Sequence, residues 1–380
     1  MTTPGTTSTV LRPATLDDAA AALADTTGTV LISGAGTAAD WAGRPDRCDL
    51  TLDTTALTGI ITHNPGDMTV SVRAGTPLRV LNQELATHGQ RVAFDAARVG
   101  FGATLGGLVA TADAGPSALV HGSLRDLIIG STVVLADGGV ARSGGHVIKN
   151  VAGYDLSKLL HGCHGTLALV AEVILRLHPV PAAEATVRLS CALEEAAAAT
   201  RTVLASPLES AAVEWCDGAL LVRVTGAPST VEARAGRLAE LLGPPAETLA
   251  PDTAAAAWQR HRESVSGSGT GTAILRIGTR PSRLHGALAA LVADLGGADV
   301  VAGLGTGVAT LALPPGPETI DRAHQLVHQA GGTSMLRSRP PGCTAPAWGP
   351  PPSAIDVLRA VRTELDPRGR FGGGRFSPWM

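Results

Sequence analysis

In the first half of the chain, apolar positions fall into short alternating runs broken by glycine; in the second, strand-like and helix-like runs exchange regularly. Thr15 stands at a helix N-cap, with Asp17 and Asp18 in the next turn and alanines running to Ala24, which predicts a short amphipathic helix. Val30 to Ser33 is a short apolar strand that runs into glycine, and Thr69 to Ala74 alternates as a half-buried strand. Thr76-Pro77 opens a helix that Gly89 closes. Between Gly100 and Gly145 glycine is dense, and Ser131 to Ala136 reads as a strand turning at Asp137-Gly138. Leu167 to Leu177 is a long apolar strand whose exit Pro179 and Pro181 mark. A first unit is therefore expected at residues 1–180.

From 181 to 338 the order is strand, helix, strand, strand, helix, and then the same again. The first pass is Ala185 to Cys191, Glu194 to Leu204, Ala211 to Trp215, Ala219 to Thr225 and Ser229 to Leu242, with a turn at Asp217-Gly218. A Ser/Gly-rich link, Ser266 to Thr272, separates it from the second. The second is Ala273 to Gly278, Ser282 to Leu295, Val300 to Ala302, Val308 to Leu313 and Glu318 to Ala330. A split βαβ unit used twice predicts an antiparallel sheet with helices on one face. Residues 339–380 read as a proline-rich tether, a short helix ending near Leu365, and a closing segment. The fold class expected is α+β.

Composition narrows the functions available. At 380 residues the chain exceeds one ordinary core of ~250–300 residues. With 44% hydrophobic and 17% charged residues, it folds rather than staying disordered. A net charge of −3 offers no footprint for nucleic acid and no polybasic membrane patch. The five cysteines are scattered without a C-x-x-C pair, which argues against zinc and iron–sulfur ligation in this chain and for a reducing compartment. No charged-then-apolar leader opens the sequence, and no apolar run reaches the ~18 residues of a membrane span. A soluble intracellular protein is expected. Against the alanine- and glycine-rich background, the only tyrosine, Tyr154, and the only lysines, Lys149 and Lys158, share one ten-residue stretch.

Three glycine clusters carry the candidate chemistry. Gly34-Ala35-Gly36-Thr37-Ala38-Ala39 follows a strand and fits G-x-G-x-x-A, with Asp53 where a ribose-binding acid would stand. Gly43 and Pro45 break the helix a nicotinamide fold needs, so the surviving inference is an anion nest of backbone N–H groups. The second cluster is Thr104-Leu105-Gly106-Gly107 with Thr111, followed by His121-Gly122 and Arg125-Asp126, the last pair read as an ion pair. The third runs from Gly144 through Lys149 and Tyr154 to Gly165-Thr166. Spacing alone says that a ligand with phosphate and planar parts can lie across three glycine-rich loops.

These segments, with Val134-Leu135-Ala136-Asp137-Gly138 and Lys149-Asn150-Val151-Ala152-Gly153-Tyr154-Asp155-Leu156, resemble the PCMH-type FAD-binding domain of the vanillyl-alcohol-oxidase superfamily. Within it they are most similar to the family of FAD-binding E subunits of bacterial glycolate oxidases. The resemblance implies a two-part FAD domain plus a cap. Gly34, Ala35, Gly36 and Thr37 would wrap the pyrophosphate; Thr104, Leu105, Gly106, Gly107, Thr111, His121 and Gly122 would line the ribityl chain and ring. Gly165 and Val170 would lie near the ring and the adenine end. Thr37 replaces the histidine that forms a covalent link in some members, and no cysteine lies between Cys48 and Cys163, so non-covalent FAD is expected.

As catalytic groups the resemblance offers Lys149 first, then Tyr154 and Arg375. No metal site is expected: the cap lacks H-x-H, and His324 and His328, one helical turn apart, read as a solvated helix face. The implied partners are a larger FAD-binding glycolate oxidase subunit, an iron–sulfur subunit and a small 2-hydroxy acid. The implied location is the cytoplasm, with the membrane's inner face reached only through the complex. Ala35 in place of the usual glycine, and Phe371-Gly372-Gly373-Gly374-Arg375 in place of Asn-Pro-Gly-Arg, depart from the family pattern. An autonomous flavoenzyme, a flavin-free scaffold and a nicotinamide dehydrogenase stay open as alternatives.

Overall fold

The computed structural model describes residues 9–147, 154–267, 271–296 and 298–380. Thr15 and Asp18 form a capping box that starts the helix Leu16–Asp25, and this helix buries Ala19 and Leu23. Val30–Ser33 pairs in parallel with Leu50–Asp53, a strand the pattern did not predict, and that strand pairs in parallel with Thr9–Leu11. Asp53 caps the turn Thr54–Ala56 and pairs with Arg12 at 2.6 Å, so its role here is local rather than that of a ribose acid.

A second sheet is antiparallel, in the order Ile60–Asn64, Thr69–Arg73, Leu169–Arg176, Ile128–Val134, Val140–Gly144. Alternation along its strands feeds two cores. Val134, Leu169 and Ala171 face the three-stranded sheet with Val30, Leu52 and Phe371. Val70, Val72, Val133 and Val170 face the helices Leu78–Ala86 and Leu105–Ala110.

From Ala183 to Ser338 the chain builds an eight-stranded antiparallel sheet. Each pass orders its strands first, third, second, and the two second strands meet at the centre, Trp215 opposite Ala302 and Cys216 opposite Val301. Asp217 and Gly218 both take positive φ in the tight turn expected there. Four helices, Leu193–Ala205, Pro228–Leu242, Pro281–Leu295 and Pro317–Gln329, bury their apolar stripes on one face, against residues such as Val213, Leu220 and Val222.

A fifth helix, Pro251–Ser266, lies on the other face, where Trp258 packs on Ala212 and Leu221. The sequence pattern missed it because its stripe is made of Ala254, Ala257, Trp258, His261 and Val265, too small and too polar to register as a hydrophobic period. It sits between the large sheet and the turn Ala97–Phe101.

The closing segment returns to the first sheet. Phe371 bridges to Val30, Arg370 donates to the carbonyls of Leu23, Gly28 and Ala136, and the helix Ile355–Leu365 precedes it.

Candidate functional site

The strand Val30–Ser33 ends at Gly34, and the next residues turn back at once. Gly36 takes φ +71°, open to glycine and costly for side-chain-bearing residues. Among the described residues, the backbone N–H groups of Ala35, Gly36, Thr37 and Ala38 enter no hydrogen bond, so the turn presents unsatisfied donors to one side. A Cβ on Gly34 would stand 2.5 Å from Thr104 Oγ1, so the first two glycine loops touch there. Thr104 caps the helix Leu105–Ala110 by accepting from Gly107 N–H at 3.3 Å. Gly165, at φ +73°, closes the far wall against Ile32.

Together these loops form a cleft of about 970 Å³, measured to its open mouth. Gly34, Ala35, Gly36, Thr37, Thr104, Gly106, Gly107, Thr111, Gly165 and Val170 all line it. Three others named from the sequence do not. Leu105 is wholly buried in the core, His121 stacks edge-on against His178, and Gly122 packs on Asp126. Asp126 is a capping residue for Ser123, and Lys158 Nζ donates to the Arg125 carbonyl, so the Arg125–Asp126 ion pair is absent among the described contacts.

Of the candidate catalytic groups, Lys149 lies outside the described residues. Tyr154 is 93% exposed. Arg375 lines the cleft, and its guanidinium donates to the carbonyls of Ala39 (2.8 Å), Trp41 (2.9 Å) and Gly43 (3.3 Å). Those bonds stitch the closing segment to the chain just past the first glycine turn. His324, expected on a solvated face, is instead buried: its Nδ1 meets Ser334 Oγ at 2.6 Å and its Nε2 meets the Pro346 carbonyl at 3.1 Å. It holds the proline-rich tether to the sheet. His328, one turn on, is exposed.

Sequence reasoning missed a second constellation beside the cleft. Arg98 donates to Thr37 Oγ1 (3.0 Å) and Thr111 Oγ1 (2.6 Å), joining the first two glycine loops, and pairs with Asp113 at 3.0 Å. Arg337, from the strand Thr333–Ser338 of the large sheet, pairs with the other oxygen of Asp113 at 2.8 Å. The Trp41 ring lies between the two guanidinium groups, 4.0 and 3.8 Å from its centroid. Burial alone would raise the Asp113 carboxyl, but Arg337, Arg98 and Arg276 outweigh it and hold it below the usual carboxylate range. Burial, reinforced by Arg276 and Arg98 against the pull of Asp113, brings Arg337 down to about 9.

His164 lines the cleft too, edge-on to Trp348 and Phe376. Burial first, then Arg375, Arg98 and Arg337, depress its pKa to about 3, so the ring is neutral. The one signal for these residues was Arg98 and Asp113 flanking the second glycine cluster; Arg337 stands more than two hundred residues away.

Residues 7–144 match the FAD binding domain family. Across 329 residues, 86% of each chain, the protein is 32% identical to glycolate oxidase subunit GlcE of Escherichia coli (strain K12). The chain belongs to the FAD-binding glycolate oxidase subunit family. As a member it is an FAD-dependent oxidoreductase, with FAD as cofactor. A shorter match reaches glycolate oxidase subunit GlcD of Bacillus subtilis (strain 168), 38% identical over 30% of this chain and 24% of that one. D-lactate dehydrogenase of Archaeoglobus fulgidus is 34% identical over 40% of this chain and 33% of that one. A solved alkyldihydroxyacetonephosphate synthase shares the fold, with TM-score 0.67 and 16% identity over 96% of this chain and 75% of that one.

The cleft fits the cofactor on physical grounds. Unsatisfied amides at the first turn suit a pyrophosphate, and the glycine walls admit close backbone approach. The cations Arg98 and Arg375 supply the opposite charge at its edge.

Proposed function

We propose that this chain is the FAD-binding subunit of a glycolate (2-hydroxy acid) oxidase or dehydrogenase complex that converts glycolate to glyoxylate. The identity to the E. coli subunit over 86% of both chains carries the reading. Its partners are a larger FAD-binding subunit and an iron–sulfur subunit, and the scattered cysteines of this chain suit a division that places the cluster elsewhere. Residues 1–180 form the FAD unit, 181–338 the cap, and 339–380 the returning segment. Among the described residues no helix is long and apolar enough to cross a membrane; the reading places any membrane contact at the inner face, made through the partner subunits.

FAD in the cleft supplies a two-electron acceptor for hydride. The chain's own residues do the holding. Amides at 35–38 would take the pyrophosphate, Thr104, Gly107 and Thr111 would hold the cofactor further along the cleft, and Gly165 and Val170 would close the opposite wall. Arg98 ties two of these loops into one rigid frame. The cofactor is held without a covalent bond: Thr37 stands at the linking position, the cleft lining contains no cysteine, and His164 is packed against aromatic rings.

Acid precipitation of the purified protein should release all the yellow colour to the supernatant, and pigment retained in the pellet contradicts a non-covalent cofactor. Gly107→Leu sharpens the test, because a Cβ there meets only Thr104 Oγ1, at 3.1 Å, and the longer chain enters the cleft. The FAD dissociation constant should rise at least ~10-fold, the equivalent of losing ~1.4 kcal/mol of binding, while the circular dichroism spectrum is unchanged. The neighbouring Gly106 is a poorer choice, since its Cβ would press on Ala74 at 3.3 Å and disturb the core. Wild-type protein that is colourless and takes up no FAD overturns the proposal.

A further inference from the structure

His164 is held in the wall of the cleft against its backbone preference. Its φ is +49°, in the left-handed region that few non-glycine residues enter, histidine being among those enriched there. The ring is wedged edge-on against Trp348 and Phe376, which stack on each other with centroids 5.0 Å apart. Trp348 Nε1 in turn donates to the Arg375 carbonyl at 2.8 Å, so the closing segment fixes the platform under the imidazole. Sparsely populated backbone kept in place by such packing gathers at functional positions.

Among the described residues neither ring nitrogen has a hydrogen-bond partner, and neither is sealed in the interior, so both stay open to the cleft. The adjacent Gly165 packs on Ile32, two residues before Gly34. Arg98 and Arg375, which both act on the imidazole, hold Thr37 Oγ1 and the Ala39 carbonyl at the first glycine turn. The ring therefore belongs to the wall beside the turn whose free amides suit a pyrophosphate.

The charges facing the imidazole are all positive: Arg98 from the turn Ala97–Phe101, Arg337 from the strand Thr333–Ser338 and Arg375 from the closing segment. The carboxylates behind them are already engaged, Asp113 by Arg98 and Arg337, and Asp40 by its attraction to Arg375. Burial and these cations keep the ring neutral while the cleft holds no anion. A pyrophosphate reverses the balance, since an opposite charge within ~4–6 Å favours the charged form of a titratable group. Of the described side chains lining the cleft, Arg98, Arg375 and His164 are the titratable ones, and an arginine keeps its proton. His164 is thus the group of the lining whose charge can follow that of the ligand.

We infer that His164 is the proton-linked contact of the cofactor site: its ring gains a proton as FAD enters and donates a charge-assisted hydrogen bond to the pyrophosphate. This role rests on the FAD cleft proposed above and adds a proton to it. The proton comes from solvent and returns there when FAD leaves. Because the loaded chain carries the extra proton, affinity rises as pH falls.

Titration of the full chain, stripped of its cofactor, with FAD by fluorescence quenching tests this. From about pH 7 to about pH 5 the dissociation constant should fall ~3- to 10-fold, within the ~10-fold per pH unit that one linked proton allows. Calorimetry at the acid end should show proton uptake, read as a heat that changes with the ionisation enthalpy of the buffer. His164→Asn, which suits the positive φ, should bind FAD with a dissociation constant that no longer falls over that range and with a buffer-independent heat. Should the variant not fold, imidazole ¹⁵N spectra of the unaltered protein decide: at the acid end one of its 11 histidines should gain a proton when FAD is added. A wild-type affinity indifferent to pH, or His164→Asn protein with the wild-type pH dependence, overturns the inference and leaves the FAD cleft standing. A chain that takes up no FAD at any pH overturns the cleft and this role together, so the two failures are told apart.

Discussion

The cleft and the charged group beside it are built by opposite means. The cleft is made of backbone: amides at 35–38, glycines at 34, 36, 107 and 165, and little side-chain chemistry. The neighbouring group is made of side chains: Glu214, Arg276 and Arg337 come from the eight-stranded sheet, His261 from the helix Pro251–Ser266, Arg98 from the turn Ala97–Phe101 and Asp113 from the loop after the helix Leu105–Ala110. A backbone site demands glycine at fixed short spacing and so leaves a local signature. A side-chain site needs only that distant residues converge. The first tolerates no bulk, and the second tolerates no change of charge.

The largest contrast should come from Asp113→Asn, which strands two buried guanidinium groups. Removing one partner of a buried pair costs ~3–5 kcal/mol, measurable by denaturant unfolding. A loss under ~1 kcal/mol would show that water reaches the group and that the two regions differ less than drawn here. Because the folded Asp113 pKa is depressed, its contribution is present above the unfolded value of ~3.9 and is lost as pH falls through the folded one. The variant should lack that acid limb.

A smaller effect belongs to His164, at the boundary of the two regions. Its folded pKa of about 3 lies below the ordinary 6.5, so on acidification the unfolded chain takes the proton first. Stability should therefore drop from about pH 6.5 towards 3, with a slope of up to ~1.4 kcal/mol per pH unit from this one group. His164→Asn, which suits the positive φ of that position, should flatten the profile by that amount. An unchanged slope would mean that the ring is not held among the cations.

The smallest effect is expected at Tyr154. With 93% of the residue exposed, Tyr154→Phe should alter stability by under ~0.5 kcal/mol and leave FAD occupancy untouched. A larger change would add a side-chain contribution to the cleft.

The glycine loops, the capping box at Thr15 and the doubled strand–helix order of the cap were legible because each rests on local rules of turn, cap and period. The helix Pro251–Ser266 was not, since its buried stripe is built from alanine, one tryptophan and one histidine. Glu214 and His261 are 47 positions apart and sit on elements whose pairing no local pattern encodes. His121 and Gly122 illustrate the reverse error, for sequence proximity to a ligand loop did not bring them into its cleft. Tyr154 was conspicuous by its rarity and by the motif it stands in, and neither says where the chain puts its side chain.

Phe371 completes the edge of the parallel sheet beside Val30, and Arg375 anchors the segment past the first glycine turn. A ribosome making this protein must therefore synthesise more than three hundred further residues after the first glycine turn before that turn gains these supports. A fragment that stops short of Phe371 lacks both contacts, and its first glycine turn is left without the strand partner and the guanidinium anchor that brace it in the folded chain.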